Sequence, residues 1–227
     1  MKIVILNASF RKNGATARIL SEFAKQLQLQ TDTDVETFHL SDLHIEFCQG
    51  CCSCYQTGQC FLGGDTEMLS QTISEADGLI IGSPCYASGM SGQLKTLIDR
   101  GHFVMEQLLQ GKHTVGIVTY ENAGGGSVWR ALKTLFVFSG AKTADKLVVK
   151  VPFNSNPVEN EKIKEQIKRK AVTLHASIQG QKSSPLNKIT QFFVLNFGIK
   201  PFVKKKGQTY QGVLQHWKNR GILRSRR

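Results

Sequence analysis

The sequence predicts an α/β protein built on a doubly wound, five-stranded parallel sheet in the order 2-1-3-4-5, with a cysteine-rich insertion after strand 2 and a basic helical extension at the C-terminus. Three observations predict it. Short apolar runs such as KIVIL (2–6) and ADGLIIGSP (76–84) have the length and content of strands buried on both faces. Amphipathic segments at helical spacing separate the runs, so strand and helix alternate five times and right-handed crossovers produce a parallel sheet. Charge is divided along the chain: residues 1–180 carry 18 Lys and Arg against 17 Asp and Glu, whereas residues 181–227 carry 11 against none. Of the net charge of +12, +11 therefore belongs to the tail, and the domain itself shows no basic signature of nucleic-acid binding.

At 227 residues and 41% hydrophobic content the chain can bury a proper core, and the expected division is one domain over 1–180 and an appendage over 181–227. No run reaches the eighteen or so apolar residues of a membrane span, and the apolar start is too short for a signal peptide. The expected compartment is cytoplasmic, where cysteines stay reduced.

The first strand feeds NASFRKNGATARIL, a polar turn leading into a helix through Leu20, Phe23 and Leu27. The turn matches neither a P-loop nor a dinucleotide fingerprint. Ser9, Arg11, Asn13, Gly14 and Thr16 supply hydroxyls, a cation and backbone amides at a helix N-terminus, a nest suited to a phosphate monoester; the same residues also suit a plain helix cap with a solvated arginine. A second, half-buried strand covers residues 35–40, and a helix with Met68, Leu69, Ile73 and Ala76 on one side precedes strand three. PCYASGMSGQ follows at the carboxyl end, where ligands bind in doubly wound sheets. Its small residues open backbone amides to a flat ligand, and Tyr86 can stack or hydrogen-bond.

Residues 92–109 read as one helix with Leu94, Leu97, Ile98, Val104 and Leu108 inward and Lys95, Asp99 and Arg100 on a solvated or packing face. Strand four (113–119), the YENAGGG turn, a helix (127–139), strand five (146–151) and a closing helix through Ile163, Ile167, Leu174 and Ile178 complete the domain. Beyond Pro185 come an apolar helix interrupted at Asn196 and Gly198, a charged connector at Lys204–Lys206 and a last helix over 210–220 anchored by Trp217. Aromatics at helical spacing are usually buried, so Phe192, Phe193, Phe197, Phe202 and Trp217 suggest packing on the chain's own surface or a neighbouring subunit. Steering of an acidic partner comes second, and membrane or nucleic-acid binding last.

Five of the six cysteines lie in FCQGCCSCYQTGQCFLGGD (47–65). Cys48, Cys51, Cys54 and Cys60 have the spacing C-x2-C-x2-C-x5-C, leaving Cys52 as a spare thiol. A [4Fe-4S] cluster takes four thiolates at such spacings; zinc takes four as well, though usually as two separated pairs; free thiols are the third reading.

Together, NASFRKNGAT, the cysteine run, ADGLIIGSPCYASGMSGQLKTLIDR and YENAGGG resemble the flavodoxin-like NAD(P)H-dependent FMN reductases, and among them the iron-sulfur flavoproteins. The resemblance covers about residues 1–180. It implies noncovalent FMN, with Ser9, Arg11, Asn13, Gly14 and Thr16 as the phosphate loop although Ala8, Phe10 and Ala15 depart from the family pattern. It further implies Pro84, Tyr86, Ser88, Gly89 and Met90 against the flavin ring, Glu121, Asn122 and Gly124 in a third flavin loop, and Cys85 as a small filler. The four cysteines match the cluster motif, with Gly64 and Asp65 where the family often has Asp-Asp. The expected function is an FMN-dependent oxidoreductase, taking electrons from NAD(P)H or a ferredoxin-like donor to a small-molecule acceptor, in a homo-oligomer. A cluster-free electron carrier and a zinc-stapled interaction module are the alternatives. The flavin would carry the chemistry, so no side chain is singled out as catalytic.

Overall fold

The computed structural model describes residues 1–223; Arg224, Arg226 and Arg227 of the basic tail lie outside the described residues. Strands β1 (Lys2–Asn7), β2 (Asp34–His39), β3 (Gly78–Tyr86), β5 (His113–Tyr120) and β6 (Thr143–Lys150) form a parallel sheet in the order β2-β1-β3-β5-β6. A two-residue strand, β4 (Gly89–Met90), turns back antiparallel on the end of β3. With β4 set aside, the order is the expected 2-1-3-4-5.

Side-chain alternation along the buried strands sorts the core into two layers. Ile3, Ile5, Ile80, Val115 and Ile117 face helices α1 (Ala15–Gln28) and α6 (Glu161–Gln179), where Ile19, Phe23, Ile167 and Leu174 meet them. Val4, Leu6, Leu79, Ile81 and Val118 face α3 (Thr66–Glu75), α4 (Gly92–Arg100) and α5 (Gly125–Phe138). In α3, Leu69 and Ile73 are buried as expected, but Met68 lies exposed.

The expected helix over residues 92–109 stops at Arg100. Gly101 ends it, and His102 and Gln107 then take left-handed backbone angles (φ 49° and 54°). Phe103, Leu108 and Leu109 reach the core from a chain of turns instead. Apolar periodicity was satisfied without a continuous helix because compact turns can bury the same side chains.

The tail is helical almost throughout: α7 (Pro185–Phe193), a π-helical segment (Val194–Ile199), α8 (Lys200–Lys206) and α9 (Gln211–Asn219). Ser184 caps α7 by accepting the Asn187 amide, with Pro185 in the first turn. The interruption expected at Asn196 and Gly198 is the π segment, which precedes Pro201 and its missing amide. Lys204–Lys206 form the last turn of α8, not a connector, where cations complement the helix C-terminus. Trp217 is fully buried in a small separate core with Val203 and Val213, and its indole donates to the Met105 carbonyl at 2.8 Å. Phe192, Phe193, Phe197 and Phe202 are not buried on the chain's own surface; each is 46–70% exposed, and Phe202 keeps an edge-to-face contact with Tyr210 at 5.5 Å between ring centres.

Candidate functional site

At the carboxyl ends of the strands lies a cavity of about 540 Å³. The turn after β1 forms one wall with Ser9, Arg11, Asn13, Gly14 and Thr16. Local bonds fix this turn. The buried Asn7 side chain accepts the Ser9 amide at 3.1 Å and meets His39 Nδ1 at 2.8 Å, while Ser9 Oγ accepts the Arg11 amide at 3.2 Å. Gly14, the N-cap residue of α1, offers no side-chain cap. Ser9 does not cap the helix, and Thr16 Oγ1 pairs with Thr119 Oγ1 at 2.7 Å. Among the described residues the first turn of α1 has no side-chain cap, and its first residues, Ala15 and Thr16, line the cavity, the arrangement in which a helix N-terminus takes up an anion.

Opposite this wall stand Pro84, Tyr86 and the segment 151–155. Arg11 spans the mouth: Nη2 donates to Asn154 Oδ1 at 2.8 Å, and its guanidinium carbon lies 5.3 Å from the centre of the Phe153 ring. Glu121 accepts the Phe153 amide at 3.1 Å, so one role of this side chain is to anchor the far wall. Beyond Tyr86 the chain reverses through Ala87 and Ser88, both left-handed (φ 48° and 62°), before pairing Tyr86 with Gly89 and Cys85 with Met90. Two such residues side by side match the twist of a tight hairpin, at a strain of about 1–3 kcal/mol each for residues other than glycine. Gly124 (φ +89°) closes against this hairpin: a Cβ there would lie 2.6 Å from Ser88 Cα and 2.8 Å from Cys85 Sγ. Asn122 is exposed beside it.

The cysteine-bearing loop is separate from this cavity. Its neck is tied by Asp65, which accepts the His44 amide at 2.7 Å through its side chain and donates its own amide to the His44 carbonyl at 3.0 Å. Inside the neck sits Arg100, only 2% exposed, donating to the Gly63 carbonyl at 2.8 Å, to Cys60 Sγ at 3.3 Å and to the Glu46 carbonyl at 3.4 Å. Among the described residues it meets no carboxylate, and its Nε is buried without a partner. Cys54 lies on the short helix α2 (Ser53–Thr57), close enough to His102 to act on its charge. Burial opposes a charge on His102, but Cys54 and the bond to Glu106 (2.9 Å) push its pKa up to about 10. Cys51 is exposed, and the Ser53 hydroxyl at 3.3 Å lowers its pKa.

The tail braces this loop. Gly58 and Gly212 come so close that a Cβ on Gly212 would collide with the Gly58 backbone, and His216 Nε2 meets the Gly58 carbonyl at 3.0 Å. Tyr210 stacks on Tyr55 at 4.9 Å. Glu106 gathers His102, His216 and Arg220 around its carboxylate.

The family described as NADPH-dependent FMN reductase matches residues 1–155. The chain belongs to the NADPH-dependent FMN reductase family. An iron-sulfur flavoprotein of Clostridioides difficile (strain 630) is 34% identical over 226 residues, covering 98% of this chain and 100% of that protein. In structure the reductase is similar to an NADH:FMN oxidoreductase in its apo form (TM-score 0.61, 17% identity, 82% of this chain and 92% of that one). It is likewise similar to an azoreductase from Bacillus anthracis (TM-score 0.59, 15% identity, 77% and 98%). At such identities these two matches speak for the flavodoxin-like fold alone.

Within this FMN reductase fold, eight of the residues singled out in the sequence share the cavity: Ser9, Arg11, Asn13, Gly14, Thr16, Pro84, Tyr86 and Glu121. Ser88, Gly89, Met90 and Gly124 shape the hairpin and its support outside the lining, and Asn122 stands clear. The wall at Phe153 and Asn154 was missed, although Pro152 and Asn154 mark a turn at the end of the last strand, where ligand loops belong. Arg100, assigned from the sequence to a solvated or packing face, is a buried hydrogen-bonding hub instead.

As for a cluster, the donor chemistry fits in part. A buried guanidinium on Cys60 and, near Cys54, an imidazole whose pKa is raised suit thiolates or an anionic sulfur centre. Cys48 and Cys51 are exposed, and among the described residues no three Cys, His, Asp or Glu side chains converge.

Proposed function

We propose that the chain binds FMN in the 540 Å³ cavity and works as an oxidoreductase between NAD(P)H, or a reduced ferredoxin-like donor, and a small-molecule acceptor. The observation that supports this most is the α1 N-terminus, which has no side-chain cap and is joined by Ser9, Arg11, Asn13 and Thr16 in one wall. Such a nest matches a phosphate monoester in charge and in the number of donors. FMN, when bound, supplies hydride and single-electron chemistry. The protein's share is to hold the phosphate at the first wall, to place the flat ring against Pro84, Tyr86 and the Ser88–Gly89–Met90 hairpin, to support that hairpin from Gly124 and to fix the far wall through Glu121, with Asn122 exposed in the same loop.

In the same reading, Cys48, Cys51, Cys54 and Cys60 would hold a [4Fe-4S] cluster, a one-electron station serving a two-electron flavin. The full-length likeness to an iron-sulfur flavoprotein and the basic neighbours of Cys54 and Cys60 support it. A cluster-free flavin carrier is the second reading, favoured by the cysteines that do not converge. The protein is proposed to be cytoplasmic and homo-oligomeric, with the exposed Phe10 and Phe47 beside an apolar groove as contact surface.

Anaerobic purification followed by the visible spectrum, iron content and NAD(P)H turnover tests both parts. Flavin bands with about four irons per chain support the full reading. Flavin without iron leaves the carrier, and colourless protein that takes up no FMN overturns both.

A further inference from the structure

From Pro185 through Lys206 the tail runs helically for about 33 Å at 1.5 Å per residue. One side faces the domain: Asn187 and Val203 are buried, Gln191 donates to the Ala141 carbonyl, and the Ser184 amide donates to the Lys142 carbonyl at 3.0 Å. The other side displays Leu186, Ile189, Phe192, Phe193 and Phe197, each between 56% and 70% exposed. The three phenylalanine rings touch one another, with centres 5.6–6.1 Å apart, so the apolar surface is one patch and not scattered residues. A contiguous exposed patch of this kind marks an interaction surface.

Charge selects what covers it. Lys188, Lys204, Lys205 and Lys206 are exposed along the same run, Lys206 lies over the Phe202 ring at 5.5 Å, and residues 181–227 contain no Asp or Glu. A second copy presenting the same face would bring lysines against lysines with no countercharge in either tail. Nucleic acid would satisfy the lysines and leave Leu186, Ile189 and three phenylalanines in water. A lipid surface with anionic headgroups takes both: the aromatic and aliphatic side chains enter the acyl boundary and the lysines meet phosphate groups. No helix among the described residues is long and apolar enough to cross a membrane, which leaves lying on the surface.

We propose that the helix over 185–206 docks the protein, face down, on an anionic lipid surface. Nothing in this depends on flavin or iron. The test is co-sedimentation of the full chain with vesicles of phosphatidylcholine alone or mixed with phosphatidylglycerol. Binding is expected only to the mixed vesicles and is expected to fall with added salt. The triple variant Lys204→Gln, Lys205→Gln, Lys206→Gln should weaken it about 100-fold, at roughly tenfold or less per lysine near a charged surface. The double variant Phe193→Glu, Phe197→Glu should abolish it while the thermal unfolding midpoint stays in place. Equal binding to both vesicles, or none, overturns the proposal. So does an oligomer, seen by sedimentation velocity, that the phenylalanine double variant breaks into monomers, because a second copy would then own the face.

Discussion

Around the cavity, every wall is a short turn rooted in the end of a sheet strand; around the cysteines, a long loop leaves the sheet edge and is held by side chains that arrive from elsewhere. The first kind of site inherits its rigidity from the sheet. Ser9 and Thr16 lie within ten residues of β1, and their bonds run to Arg11 and Thr119, close in space to the strand ends. The second kind must be assembled. Cys60 depends on Arg100, Cys54 on His102, and α2 on a helix that begins at Gln211. Removing the tail's anchor should therefore disturb the cysteines and spare the cavity.

Trp217→Ala tests this at the largest expected effect. Emptying a fully buried indole site costs about 3–5 kcal/mol, and the Met105 carbonyl loses its donor. The cysteines near α2 should react faster with a thiol reagent, while FMN titration of the same sample keeps its midpoint. Parallel loss of FMN would mean that the two regions unfold as one. Arg100→Met comes next. It strips the Gly63 and Glu46 carbonyls of their donor, at about 1–3 kcal/mol, and should open residues 46–63 to limited proteolysis. Arg100→Lys should rescue little, since an ammonium cannot serve two carbonyls and a thiol in one plane. Unchanged cleavage in both variants would mean that the loop is held by its neck at Asp65 alone.

On the other side of the comparison, Arg11→Ala should weaken FMN about tenfold and riboflavin much less, as expected for one charge-assisted hydrogen bond to a phosphate. The Asn154 contact to Arg11 is lost for both ligands, so equal losses would assign Arg11 to holding the far wall and not to the phosphate.

The sequence showed the sheet and much of the cavity for the same physical reason: buried parallel strands are continuous apolar runs, and the turns that follow them are local in sequence. It hid what depends on distant pairing. Nothing local marks Arg100 as buried, because its partners Cys60 and Gly63 lie about forty residues upstream. Periodicity also misread residues 101–109, where the left-handed His102 and Gln107 place Phe103 and Leu108 in the core without a helix. Packing is expected for the tail aromatics on the chain's own surface or on a neighbouring subunit; within the chain only Trp217 is buried, while Phe192, Phe193, Phe197 and Phe202 stay at the surface, because helical spacing alone does not say which face of a helix meets the domain.

A last effect, on stability alone, belongs to the base of the sheet, at the opposite end of the strands from the cavity. Lys112 is nearly buried, and its ammonium donates to the Ser74 carbonyl at 2.7 Å and the Ala76 carbonyl at 2.6 Å. Burial, with Arg220 nearby as a second cause, holds its pKa down to about 8 against an ordinary 10.5. Folding therefore favours the neutral amine. Below about pH 8 both folded and unfolded chains carry the charge and the full cost of burying it is present; between about 8 and 10.5 the unfolded chain binds more protons, so this site's contribution to stability rises with pH. In Lys112→Met that rise is absent, while every other group contributes equally to both proteins. Urea unfolding at pH 8 and pH 10 should thus show the wild type gaining on the variant as pH increases, with FMN affinity and thiol reactivity unchanged by the substitution. A wild-type advantage that shrinks over the same interval would place the lysine's charge among the stabilising interactions and reverse the sign argued here.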